Sequence, residues 1–320
     1  MRSIAPEPIQ VVAAAIEDEL GRILITKRHD HSHQGGLWEF PGGKLEPGET
    51  PLQGLERELR EELDILPLRA EPLIRITHHY SDRSVVLDVH RVTAFSGQPR
   101  GMEGQPLAWR LPEAMEPGAF PAADRPVITA LRLPGLYLVS GADPHQTDQF
   151  LERLEASLQQ GLKLMQLRAH ELSDEAYREL LQAALAICHR HGARLLINRP
   201  GDPSGWLGQA DGIHLNRHQL MKLTQRPIDS GWIGASCHNP QELNRAETLG
   251  LDYALLSPVR KTLSHPEAQA LGWGQFAAWV ELTNLPVYAL GGMDPSMLAE
   301  ARAHGAQGVA GIGGFWNGGS

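Results

Sequence analysis

The chain has 320 residues, 42% of them hydrophobic and 21% charged, with a formal net charge of −9; this predicts two folded domains and excludes a disordered chain. The acidic balance excludes a protein that coats nucleic acid, but a polyphosphate substrate remains compatible if metal ions and local cations neutralise it. No apolar run approaches the roughly 20 residues of a membrane-spanning helix, no signal peptide is visible, and Cys188 and Cys237 lack CxxC spacing, so a cytoplasmic protein without disulfides, a cysteine zinc site, a membrane partner or direct nucleic-acid binding is expected.

Two textures meet near Leu131–Gly135. Before that point lie a strand-like start, a glycine-rich loop, one strongly charged helix and alternating strands such as Ser84-Val85-Val86-Leu87-Asp88-Val89. Both periodicities together predict an α/β or α+β unit. The informative segment runs from Leu37 to Ile65, LWEFPGGKLEPGETPLQGLERELREELDI. Thr50 suits an N-cap, Pro51 the first helical position, and Gln53 completes a capping box. In the helix that follows, Glu58, Glu61 and Glu62 share one face within an arc of roughly 100°. Carboxylates so close repel unless cations sit between them, and hard oxygen ligands on a rigid helix suit Mg²⁺ or Mn²⁺, with phosphate oxygens completing the shell. Leu55, Leu59 and Leu63 form a separate apolar stripe. The competing reading is a solvated, salt-bridged helix. The preceding loop favours the metal site: Gly42-Gly43 permits close backbone approach to a ligand, and Gly48 the turn before Glu49.

After the boundary, eight short apolar runs alternate with helical segments: Tyr137–Ser140, Leu164–Arg168, Arg194–Asn198, Gly212–Asn216, Trp232–Cys237, Tyr253–Pro258, Pro286–Gly291 and Gly308–Gly313. Eight buried strands alternating with helices predict a compact (β/α)₈ barrel over 135–320, with Pro134-Gly135 as a short hinge to a first domain over 1–132.

Gly43, five residues, Glu49, seven residues, then Arg57-Glu58-Leu59-Arg60-Glu61-Glu62 resembles the Nudix box, G-x5-E-x7-R-E-U-x-E-E-x-G-U. The late glycine of the box is Asp64 here, a departure that bears on the helix C-cap more than on the metal site. The resemblance extends over nearly all of residues 8–132 to the MutT-type 8-oxo-dGTP diphosphatases, through Lys27-Arg28, His33, Leu37–Pro41, Gly42-Gly43-Lys44, Glu103–Pro106 and Phe120–Ala123. It implies an α/β/α sandwich with a mixed sheet and hydrolysis of a nucleoside triphosphate to monophosphate and pyrophosphate. It implies Mg²⁺, or Mn²⁺, held by the Gly42 carbonyl, Glu58, Glu62 and Glu103, with Glu61 nearby. Arg57 would orient the carboxylates and Lys44 meet phosphate. Arg28, His33, Phe40 and Arg83 would line the nucleotide pocket, although Phe40 reads equally as plain core and His33 as a surface residue.

Asp124 stands where MutT-type proteins place an asparagine. An amide donates to O6 of 8-oxoguanine and accepts from its N7–H, whereas an ionised carboxylate only accepts. The O6 contact is then lost unless Asp124 is protonated; an ionised Asp124 would instead accept from N7–H or from the N1–H and 2-amino edge.

The second domain resembles thiamine phosphate synthase through Gly135–Ser140, Gln166-Leu-Arg168, Leu196-Ile-Asn198, Ala210–Leu215, Ile233–Ser236 with His238, Ser257–Val259 with Thr262, and Ala289–Gly292. The resemblance implies a phosphate site near Gln166, Arg168, Ser236, Gly291 and Gly292; Gly291-Gly292 and Gly311–Gly314 fall where a barrel's late loops bind phosphate. The chemistry positions depart from the family. Arg199 and Gln219 replace its two metal aspartates, though Asp202 lies near, and His170 and His265 replace two lysines. Three readings follow: a hydrolase that sanitises oxidised nucleotides on a phosphate-binding or structural barrel, a sensor whose barrel binds a phosphorylated thiamine precursor, and a bifunctional hydrolase and synthase. The intact box favours the first, and the lost aspartates disfavour the third.

Overall fold

The computed structural model describes residues 7–30, 34–141, 143–227, 231–261, 267 and 269–316. His33, Thr262 and His265 therefore lie outside the described residues. The chain divides into two compact units between Leu133 and Pro134.

The first unit contains β1 (Ile9–Glu17), β2 (Ile23–Lys27), β3 (Trp38–Glu39), β4 (Gly42–Lys44), α1 (Pro51–Leu63), β5 (Leu66–His79), β6 (Ser84–Ser96), β7 (Leu107–Arg110) and α2 (Arg125–Arg132). The sheet order is β3-β2-β1-β6-β5, with β4 also paired to β1 and β7 to β2. Only β1 and β6 run parallel, so the sheet is mixed. Alternation along β1 makes the sandwich. Val12, Ala14 and Ile16 pack with Leu55, Leu59 and Leu63 of α1. Ala13 and Ala15 pack with Val127 and Ile128 of α2.

Helix α1 is specified at both ends. The Thr50 hydroxyl accepts from the Gln53 amide at 3.4 Å, and the Gln53 side chain accepts from the Thr50 amide at 2.9 Å. At the other end Asp64 adopts the left-handed conformation, φ 55°, and its amide donates to the Arg60 carbonyl at 3.1 Å. An aspartate thus fills the backbone role that glycine fills at least cost.

The second unit is a closed barrel of eight parallel strands: β8 (Leu136–Val139), β9 (Leu164–Arg168), β10 (Arg194–Asn198), β11 (Gly212–Leu215), β12 (Trp232–Cys237), β13 (Tyr253–Leu256), β14 (Val287–Leu290) and β15 (Gly308–Gly311). Helices α3 (Thr147–Gln159), α4 (Asp174–Arg190), α5 (Arg217–Lys222), α6 (Pro240–Thr248), α7 (Gly272–Val280) and α8 (Leu298–Ala303) connect them. Each apolar run holds one strand, shortened where its last residues turn into loop. Alternate residues such as Leu138, Leu167, Leu195 and Ile197 belong to the apolar layer beneath the helices. Their neighbours Tyr137, Gln166, Asn198, His214, Tyr253 and Tyr288 are buried outside that layer, in the barrel interior.

Pro134 and Gly135 are bonded to the barrel. The Tyr288 hydroxyl donates to the Pro134 carbonyl at 2.6 Å and the Val309 amide to the Gly135 carbonyl at 2.9 Å. A Cβ on Gly308 would stand 2.0 Å from that Gly135 oxygen, so these residues are closely packed just ahead of β8. Among the described residues no helix is long and apolar enough to cross a membrane.

Candidate active site

The carboxylates of the first unit gather around α1 and β4. Glycine makes this possible. A Cβ on Gly42 would lie 2.1 Å from the Val12 carbonyl, and one on Gly43 would lie 2.4 Å from the Glu58 carboxylate. Both glycines therefore admit the chain's own groups, where the sequence suggested room for a ligand. Glu62 accepts from the Gly42 amide at 3.1 Å.

Arg57 ties the loop to the helix. It donates to both Glu49 oxygens at 2.8 and 2.9 Å, to Glu58 at 2.8 Å and to the Lys44 carbonyl at 3.0 Å. These bonds hold the Glu49 carboxyl down near pH 2. Glu61 takes only a 3.4 Å contact from Arg57, and its side chain is 63% exposed. It shares the helix face with Glu58 and Glu62 in sequence projection, but the structure turns it outward.

Glu103 arrives from a loop fastened to the end of α1. The Met102 amide and the Gln105 side chain both donate to the Glu62 carbonyl, at 3.0 and 3.1 Å, and Gln105 also accepts from the Glu103 amide at 2.9 Å. Burial, then the fields of Glu39, Glu58 and Glu103, push the Glu62 carboxyl up to about 8 against the Gly42 hydrogen bond. The acidic group is therefore Glu39, Glu58, Glu62 and Glu103. Among the described residues no three acidic, histidine or cysteine side chains already form a metal-holding group. The donor chemistry nonetheless fits a divalent cation: hard carboxylate oxygens, one of them buried and repelled by its neighbours.

Beside this group a cavity of about 250 Å³ is lined by Arg28, Gln34, Glu39, Phe40, Gly42, Gly43, Lys44, Tyr80, Arg83 and Asp124, among others. Phe40 stacks on Phe120 with centroids 5.7 Å apart and is buried, so it is both core and cavity wall. Arg83 pairs with Asp82 at 2.7 Å, and Lys44 is exposed. Arg28 is ion-paired with Glu39, because β2 pairs with β3 and sets Lys27 opposite Trp38.

Asp124 is 7% exposed. Burial, with the nearby Glu39 adding and Arg28 opposing, raises its carboxyl to about 8. Near neutrality it is mostly the acid, which carries one donor and one acceptor as an amide does. Spacing and family resemblance assign no role to Glu39, Gln34, Tyr80 or Gln105. Glu39 was visible as the one acid within Leu37–Pro41, but only strand pairing shows its neighbours.

At the carboxyl ends of the barrel strands, Ser140 accepts from the Arg168 amide at 2.6 Å. Asn198 donates to Gln166 and meets His170 at 3.0 Å. Ser236 meets His214 at 2.9 Å. Gly291 and Gly292 both have positive φ, and a Cβ on either would stand 2.8 Å from Pro258 or Arg260. The two positions that replace aspartates point elsewhere. Arg199 donates to the Ala169 and Leu172 carbonyls at 2.8 and 3.0 Å and pairs with Asp174 at 2.7 Å. Gln219 donates to the Arg199 and Gly201 carbonyls, both at 2.8 Å. Asp202 caps its own turn through Ser204.

A family model described as NUDIX domain matches residues 11–130, and one described as thiamine monophosphate synthase matches residues 136–315. The first unit is 37% identical over 124 residues to an 8-oxo-dGTP diphosphatase of Escherichia coli, covering 39% of this chain and 96% of that protein. It is 42% identical over 122 residues to a CTP pyrophosphohydrolase of the same organism, covering 38% and 90%. The barrel is 35% identical over 183 residues to a putative thiamine-phosphate synthase 2 of Aquifex aeolicus, covering 57% and 97%.

Proposed function

Because the chain joins a member of the Nudix family to a member of the thiamine monophosphate synthase family, we propose that its first unit is a Mg²⁺-dependent pyrophosphohydrolase that converts 8-oxo-dGTP to 8-oxo-dGMP and pyrophosphate. The observation that carries this reading is the acidic group of Glu39, Glu58, Glu62 and Glu103 beside a cavity lined by buried Asp124, whose carboxyl burial pushes up to about 8.

Glu58, Glu62, Glu103 and the Gly42 carbonyl would hold the cation, with Mn²⁺ an alternative to Mg²⁺. A bound divalent ion neutralises the polyphosphate and acidifies water. The chain's own residues do the rest. Arg57 holds Glu58 and the Lys44 carbonyl in place, Lys44 offers an unburied ammonium to phosphate, and Glu58 or the outward Glu61 takes a proton from water. Phe40 supplies an apolar wall for the base, and acid-form Asp124 donates to O6 and accepts from N7–H. Pyrophosphate release from 8-oxo-dGTP, dGTP, CTP and dCTP, with and without Mg²⁺, tests this. Release that is absent from all four, or independent of divalent cation, would refute it.

One observation favours a second base. A donor beside an acceptor also matches the ring nitrogen and amino group of cytosine, and one relative is named for CTP. Faster turnover of CTP than of 8-oxo-dGTP in the same panel would select that reading.

For the barrel we propose a mouth that binds a phosphorylated small molecule through Gln166, Arg168, Ser236, Gly291 and Gly292, without synthase chemistry. Arg199 and Gln219 support this, since both are engaged in holding the barrel's own loops. Incubation with the pyrimidine pyrophosphate and the thiazole phosphate should yield no thiamine phosphate; clear product would return Asp202 as a metal ligand.

A further inference from the structure

The barrel interior contains a chain of polar groups that the proposed functions do not use. Tyr137, Tyr253 and His214 are all fully buried. The Tyr137 and Tyr253 hydroxyls are 2.8 Å apart, the Tyr253 hydroxyl is 3.1 Å from His214 Nδ1, and His214 Nε2 is 2.9 Å from Ser236 Oγ. Gly234 makes the arrangement possible, because a Cβ there would stand 2.0 Å from the Tyr253 ring. Tyr288 stands apart from the chain, since its hydroxyl donates to the Pro134 carbonyl.

The protons in this chain can be assigned by elimination. Burial holds His214 well below its usual range, to about 3, so the imidazole is neutral and carries one N–H. Suppose that proton is on Nδ1. It then donates to Tyr253, and the two tyrosines are left with two hydroxyl protons and one acceptor between them. One buried hydroxyl proton is orphaned whichever way they turn. With the proton on Nε2, Tyr137 donates to Tyr253, Tyr253 donates to Nδ1, and Nε2–H donates to Ser236 Oγ. Every fully buried donor is then satisfied, and the hydroxyl left without a partner is that of half-buried Ser236. Leaving a buried donor unmatched disfavours the first arrangement by about tenfold or more.

The consequence lies at Ser236. Its oxygen accepts from His214, so its single O–H is free to turn away from the imidazole. Ser236 is half-buried near the carboxyl end of β12, at the same end of the barrel as Arg168 on β9, whose side chain is exposed and has no ion pair among the described residues. Hydroxyl and guanidinium then both act as donors, which suits a ligand group that only accepts. We propose that Tyr137, Tyr253 and His214 are positioning residues, a hydrogen-bond relay that fixes the Ser236 hydroxyl as a donor into the barrel mouth, toward a phosphate oxygen. This rests on the reading of the mouth as a site for a phosphorylated molecule.

Two measurements test it separately. The first is a long-range ¹H–¹⁵N correlation on the full chain with ring-labelled histidine, the His214 signals assigned by their displacement in Ser236→Ala. The relay requires a neutral Nε2–H tautomer from pH 5 to 8; an Nδ1–H tautomer or an imidazolium overturns it. No variant of the buried tyrosines is needed for this result. The second is the Ser236-dependent part of inorganic phosphate and pyrophosphate binding. Tyr253→Phe leaves Nδ1 only the Tyr137 hydroxyl, 3.5 Å away. It and Ser236→Ala should each weaken binding by about tenfold, the worth of one hydrogen bond to a charged group. The double variant should bind no more weakly than Ser236→Ala alone, whereas losses that multiply would overturn the relay. If neither probe shows a Ser236-dependent component in the parent chain, the phosphate reading of the mouth fails, and the tautomer still decides the relay.

Discussion

The two units treat charge in opposite ways. Around α1 the acids outnumber their cations. Glu39 and Glu58 are paired to Arg28 and Arg57, yet Glu62 is half-buried among Glu39, Glu58 and Glu103 with a single backbone hydrogen bond to offset them. In the barrel the altered positions are satisfied internally. Arg199 has two carbonyls and Asp174, while Gln219 has two carbonyls and its place in a capping box. A surplus of like charge costs stability and persists where something outside the chain compensates it, whereas a fully matched group needs nothing from a ligand. On that criterion the first unit offers a place for a cation, whereas Arg199 and Gln219 are already matched by the barrel's own groups.

The comparison breaks most easily at Glu62. Glu62→Gln keeps the shape but cannot ionise against a cation, so pyrophosphate release should fall by two or more orders of magnitude. The fold should be kept, because a neutral amide replaces a carboxyl that burial and its acidic neighbours already hold toward the neutral acid; circular dichroism and steady-state kinetics read the two effects. Near-normal turnover at saturating Mg²⁺ would remove Glu62 from the site.

Asp124 sharpens the contrast next. Asp124→Asn offers a donor and an acceptor at every pH, so at pH 9 it should change the ratio of 8-oxo-dGTP to dGTP turnover by about tenfold. Near pH 6, where Asp124 is already the acid, the change should be small. Stability supplies an independent reading. A carboxyl raised from 3.8 to about 8 on folding contributes stability that is complete below pH 4 and is lost as pH rises to about 8. Across that window Asp124→Asn should therefore gain stability relative to the parent by up to a few kcal/mol, read from urea midpoints. A gap that does not change with pH would mean that Asp124 is ionised in the folded chain.

In the barrel, Arg199→Ala leaves two carbonyls without a donor and should cost about 2 kcal/mol. The barrel's thermal transition would fall by roughly 4–8 °C. Hydrolase turnover should be unchanged; a stable variant would mean that Arg199 is not the tie described here. The smallest effect is expected at the end of α1. Asp64→Gly relaxes a left-handed residue and should add up to about 1 kcal/mol, measured by denaturant titration with turnover retained. A loss of stability there would show that the aspartate side chain compensates for its backbone.

The amino-acid sequence by itself determined the elements and the family patterns. The eight barrel strands, the N-cap of α1, the leucine stripe and the spacing of Glu49, Arg57, Glu58 and Glu62 are encoded within one or two turns or a single strand, where periodicity and capping act locally. Only the tertiary structure decided which of those side chains act together. Glu39 joins the acidic group through the pairing of β3 with β2, and Glu103 through a loop bonded to the Glu62 carbonyl. Glu61 shares their helix but faces outward. Asp124 owes its raised pKa to burial and to Glu39, 85 positions away in the chain. Arg199 and Gln219 look like lost ligands in sequence and prove to be structural ties in space. The reason is physical: local conformation depends on neighbours in the chain, whereas burial, repulsion and proton position are sums over neighbours in space, and those neighbours exist only once the sheet and the barrel have closed.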